Sequence, residues 1–168
     1  MELPGSWLLG LALLSGGVAA QEAGPPIPLD GSVLILESGE GERYWQRTTA
    51  IRPLAYPLGT VRKLASGCVN IGFTVKPDGT TADFRVLKSA TDAAPRRREA
   101  VIAKFAEASI KMIRKLHFVP GPENPERKPE FMAMISKYAI GEGFTETCAI
   151  PDLREFLTAA ANQGLGNT

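Results

Sequence analysis

The sequence predicts an α+β fold: a small antiparallel sheet, in the order strand-strand-helix-strand, packed on one long helix with short flanking helices. Three observations carry this expectation. Val69, Ile71, Phe73 and Val75 alternate with Asn70, Gly72 and Thr74, the two-residue period of a strand buried on one face. Pro77-Asp78-Gly79 then supplies turn chemistry, and a second run containing Phe84, Val86 and Leu87 returns from it, which is a hairpin signal. From Arg96 to Leu116, Val101, Ile102, Phe105, Ala106, Ile110, Met112, Ile113 and Leu116 fall at helical spacing and form a broad apolar stripe.

Taken in order, the chain opens with an apolar stretch from Trp7 to Leu14, ending in the small residues Val18-Ala19-Ala20. That run is shorter than the ~20 residues a membrane span needs. Residues 1–20 therefore read as a secretory signal cleaved after Ala20, with Glu2 standing where a basic residue is usual. An uncleaved anchor is the alternative. Residues 21–53 form a lead-in. Its start, QEAGPPIPLD, is Pro-rich and extended, and Ser32–Leu36 is either an extra strand or residual amphipathic surface. Arg43–Thr49 is a candidate partner strand, in which Tyr44 and Trp45 cover an edge of the core in preference to forming an aromatic binding platform.

The segment from residue 54 to 140 carries the main domain. Leu58–Leu64 has spacing for two helical turns, stopped by Gly67. Asp92 is placed to cap the long helix, whose first turn contains Pro95. Arg96-Arg97-Arg98 sits at the positive end of that helix dipole and reads as a solvated basic turn, with an anion or membrane-headgroup contact as the sharper alternative. Pro120 ends the helical region, and Gly121–Pro129 is a loop. Glu130–Ile140 is the third strand. Residues 141–168 form a tail: a Gly141–Gly143 turn, a short helix from Pro151 to about Ala161, and a frayed end.

The 168 residues fit one domain with appendages, or two very small ones. With 19 Lys+Arg against 18 Asp+Glu, the overall field points to neither nucleic acid nor an acidic partner. Cys68 and Cys148 are expected to form a disulfide in an oxidising compartment, with two buried thiols as the alternative. Two Cys and the single His117 do not make a metal-ligand set. A Cys68–His117 nucleophile–base pair would need a free thiol, Asp78 is explained by its turn without pairing to Asp83, and no phosphate loop or dinucleotide fingerprint is present. The expectation is a non-catalytic protein without cofactor, metal or small-molecule substrate.

Tyr56-Pro57, Gly67, Lys76-Pro77-Asp78-Gly79, Phe84-Arg85-Val86-Leu87-Lys88-Ser89 and Phe118-Val119-Pro120, in this order, resemble the TonB carboxy-terminal domain family over roughly Leu54 to Ile140. Leu116 stands where that family often has Trp, and the Pro-rich spacer of a classical transducer is missing from this sequence. The resemblance implies a periplasmic binding module that takes an extended segment of an outer-membrane receptor or other envelope protein as an added strand, in connection with transmembrane transport. It implies the third strand as the receiving edge, with Met132, Met134 and Ser136, or their neighbours, as contacts. A membrane-anchored short energy transducer, and a structural protein forming a homodimer through the same edge, are the alternatives.

Overall fold

The computed structural model describes residues 27–36, 40–51, 56–57, 65–138 and 145–165. The expected signal segment, the Leu58–Leu64 turns, the Gly141–Gly143 turn and the last two residues of the expected third strand lie outside the described residues. The fold is α+β, built on small antiparallel sheets. A helical turn, α1 (Gly41–Tyr44), leads into the short β1 (Trp45–Arg47). The hairpin follows as β2 (Gly67–Val75) and β3 (Thr81–Thr91). A 3₁₀ turn (Pro95–Arg97) continues into α2 (Arg98–Ile113), then come β4 (Phe118–Pro120) and β5 (Glu130–Tyr138). The chain closes with α3 (Thr145–Cys148) and α4 (Leu153–Leu165). Among the described residues two helices are substantial, of 16 and 13 residues, where one long helix with short flanking helices was expected.

The main sheet has the order β3-β2-β5, all antiparallel, with β2 in the centre. Opposite residues share a face, so Val69, Ile71, Phe73 and Val75 of β2 lie with Ser136, Met134, Met132 and Glu130 of β5. On that side α2 delivers Val101, Phe105, Ala106 and Ile113 into one core. Phe105 stacks on Tyr138 with ring centroids 4.2 Å apart. Within the same stripe Ser109 is fully buried, because its hydroxyl meets Phe105 O at 2.8 Å and the Tyr138 hydroxyl at 2.9 Å.

The other face of the sheet is also covered, by the N-terminal segment and by α4. Ile35, Phe131, Leu153 and Leu157 form a second core there, with Leu87 and Ile27 packed against it. Cys68 on this face is disulfide-bonded to Cys148, 80 residues away, as expected. Closing that loop stabilises the fold by ~4.5 kcal/mol in the chain-entropy model. The bridge is compatible with an oxidising compartment. Among the described residues no helix is long and apolar enough to cross a membrane.

The hairpin turn forms as its residues dictate. Asp78 Oδ1 accepts from Thr80 N–H at 2.9 Å and from the Thr80 hydroxyl at 2.6 Å. Gly79 has φ +79°, and a Cβ there would collide with Phe118 O, so only glycine fits against β4.

Several local expectations are corrected. Asp92 does not cap the helix; its Oδ1 accepts from Ser66 N–H at 2.8 Å, tying the ends of β2 and β3 together. The residue before α2, Arg97, makes no side-chain cap bond. Arg43 and Tyr44 belong to α1, and only Trp45–Arg47 is strand, paired with β4. Trp45 is 1% exposed and donates Nε1–H to Lys128 O at 2.9 Å, so it is core. Helix α4 starts at Leu153, where Asp152 Oδ1 accepts from Glu155 N–H at 2.7 Å, and it runs on to Leu165, past its expected end near Ala161.

Candidate functional site

The two edges of the main sheet differ in kind. Strand β3 shifts register against β2 at two places, Asn70/Ile71 and Gly72/Thr74, and places Asp83 at φ 52°. Bulges, strong twist and the charged Arg85 and Lys88 make such an edge a poor template for another strand. Strand β5 pairs with β2 without interruption from Glu130 to Tyr138. Among the described residues its outer side is paired only at its start, in a parallel bridge of Leu34 with Glu130. There Leu34 N–H donates to Pro129 O and Phe131 N–H donates to Leu34 O, each at 2.8 Å.

That contact fixes the parity of the strand. Backbone groups in a ladder alternate in direction, and Phe131 points away from β2. Ala133, Ile135 and Lys137 therefore direct N–H and C=O outward, and Met132, Met134 and Ser136 bond to β2. Among the described residues no backbone pairs the outward groups of these three. Ala133 and Lys137 are exposed.

Two grooves flank this edge and meet at Ala133. On the α2 side a groove of about 730 Å³ is walled by Trp45, Gln46 and Arg47 opposite Met132 and Met134. On the α4 side one of about 560 Å³ runs between Ile135 and the Ala149-Ile150-Pro151 connection. Asn70, Glu130 and Gly41 also line it. An extended segment laid along β5 would set alternate side chains into the two grooves.

The expected contact residues divide accordingly. Met132 and Met134 are half-buried groove walls, although their backbone faces inward. Ser136 is 1% exposed inside the sheet, opposite Val69, and lines neither groove. Sequence reasoning missed Ala133, Ile135 and Lys137 as backbone contacts, and Glu130 and Asn70 as groove-lining polar groups. A Glu opening an otherwise apolar strand was the one signal available. Glu130 is 2% exposed, and burial pushes its carboxyl up to about 8.

The residues weighed for catalysis are not assembled. Cys68 is held in the disulfide, so it offers no thiol to His117, which is exposed at the end of the α2 region. Asp78 is held by Thr80, foremost through its hydroxyl, which lowers the carboxyl to about 2. Among the described residues no cluster of His, Cys, Asp or Glu is arranged to hold a metal ion. Arg96 and Arg98 are exposed at the start of α2. Comparison of the chain with family models, curated proteins and solved structures finds no match in any of the three.

Proposed function

We propose that this protein is a non-catalytic binding module that takes an extended segment of another envelope protein as an additional strand on β5. One observation carries the reading: β5 has an unbulged outer edge with outward groups at Ala133, Ile135 and Lys137, between two grooves. Unpaired ladder groups supply affinity to any incoming strand, and the grooves supply selectivity through alternate side chains. The half-buried Met132 and Met134 offer an adaptable wall on one side.

The strand-strand-helix-strand order of β2, β3, α2 and β5 supports the reading through the resemblance to TonB carboxy-terminal domains. The proposed compartment is the periplasm and the proposed partner an outer-membrane transport protein. An anchored, force-transmitting form depends on residues 1–20.

The test is a photocrosslinking side chain at Ala133 in the native envelope, with the captured segment mapped by mass spectrometry. The expected result is a crosslink to one stretch of a second envelope protein, lost in Ile135→Pro. That substitution removes an outward N–H without removing a bond to β2. A crosslink to another copy of the chain would assign the edge to self-association. A crosslink indifferent to Ile135→Pro would overturn strand addition.

A further inference from the structure

Two residues that line the groove on the α4 side, Glu130 at its end and Asn70, each carry a buried polar atom with no hydrogen-bond partner among the described residues, one on each face of the sheet. Glu130 Oε2 is one; Asn70 Oδ1 is the other, although Asn70 Nδ2 donates to Cys148 O at 3.0 Å. Both residues are 2% exposed, and both line the groove beside the free edge. Buried polar groups are nearly always satisfied, and these two, one on each face beside the receiving edge, lie where alternate side chains of an added strand would meet them. Asn70 Oδ1 accepts hydrogen bonds, and Glu130 Oε2 does so whenever the carboxyl is ionised, so a set of donors would satisfy both.

A glycine, not a side chain, covers Glu130 on the α1 side. Gly41 lies over the carboxyl, and a Cβ there would come within 3.3 Å of Glu130 Oε1 and 3.5 Å of Met132 Cε. A side chain at Gly41 would therefore crowd the carboxyl further. Leu34 occupies the outer side of β5 at Glu130, so an added strand begins near Ala133 and only a long side chain extends back to the carboxyl.

Resting on the strand-addition reading, we propose that the segment bound at β5 carries a lysine or arginine that reaches Glu130, with a second side-chain donor meeting Asn70 Oδ1 at the level of Ile135. The register supports this arrangement, because Asn70 lies opposite Ile135 and Glu130 lies at the start of the same strand. A cation also returns the buried carboxyl to its charged form, in which it accepts a short, charge-assisted bond.

The experiment uses the full disulfide-bonded chain and synthetic peptides of alternating Val and Thr. One lysine is moved through each position, and each peptide is matched by a norleucine counterpart. For the best position the lysine peptide is expected to bind at least about tenfold tighter than its norleucine match. That ratio should fall towards one in Glu130→Gln. Gly41→Ala, which crowds the same carboxyl without altering it, should also lower the ratio and serves if the Glu130 variant fails to fold. A wild-type ratio near one, with binding still lost in Ile135→Pro, overturns the cationic partner and leaves strand addition standing. Peptide binding that is absent, or insensitive to Ile135→Pro, overturns both.

Discussion

Glu130 and Asp78 show how the same functional group acquires opposite behaviour from its surroundings. Burial raises the Glu130 carboxyl from 4.5 to about 8, so between those values the folded chain keeps a proton that the unfolded chain has released. Stability then falls as pH rises through that window, by up to ~1.4 kcal/mol per pH unit. Glu130→Gln should remove this slope and raise the urea midpoint at pH 9 relative to wild type, with little change at pH 4. Parallel curves for the two proteins would refute it. Asp78 is exposed and its carboxyl is lowered to about 2 by the Thr80 hydroxyl, then by Thr80 N–H. Its contribution is present above the ordinary carboxylate range and lost as pH falls through about 2. Asp78→Ala should therefore destabilise at neutral pH and match wild type in strong acid. Gly72 is a different case, because a Cβ there would run into the Phe131 ring and Leu87. Gly72→Val is expected to cost about 1–3 kcal/mol in denaturant titrations, as overpacked sites do.

Among the elements, β5 separates two effects of proline that a sequence reading merges. Met134 bonds to β2, so Met134→Pro deletes an internal ladder bond and should lower stability by about 1–3 kcal/mol, measured by urea unfolding. Ile135→Pro removes an outward donor and should cost clearly less. The reverse order of stabilities would show that the parity derived from Phe131 is wrong. That parity was illegible in the sequence because it rests on Leu34, which lies far from β5 along the chain and reaches it through tertiary packing alone. The hairpin was legible because alternation and Pro77-Asp78-Gly79 are local signals. Asp92 misled for the same reason that it is useful: a carboxylate before a helix is a sound local cap, and here Ser66, brought close by the sheet, takes it. Asn70 reads as a solvent-facing strand residue, and only the packing of α3 and its neighbours over that face buries it. Helix α4 outruns its expected end because burial of Leu153 and Leu157 against Ile35 and Phe131 outweighs weak propensity near Gly164.

For the whole molecule, the sheet is a shared floor. Helix α2 covers one side, and segments from the two ends of the described chain cover the other, with Arg154 donating to Ile35 O at 2.7 Å between them. The Cys68–Cys148 bridge fastens this second layer to the central strand. Reduction is expected to lower the melting temperature, with a loss of about 2–5 kcal/mol, and an unchanged melting curve would show the bridge to be dispensable. The bridge also dates the groove. Ala149, Ile150 and Pro151, which form one bank of the channel beside β5, follow directly on Cys148. The bridge pins that bank only once Cys148 has been made and both sulfurs oxidised. Until then that side of the strand edge stands unfastened, so on the strand-addition proposal an oxidising space would complete the receiving surface.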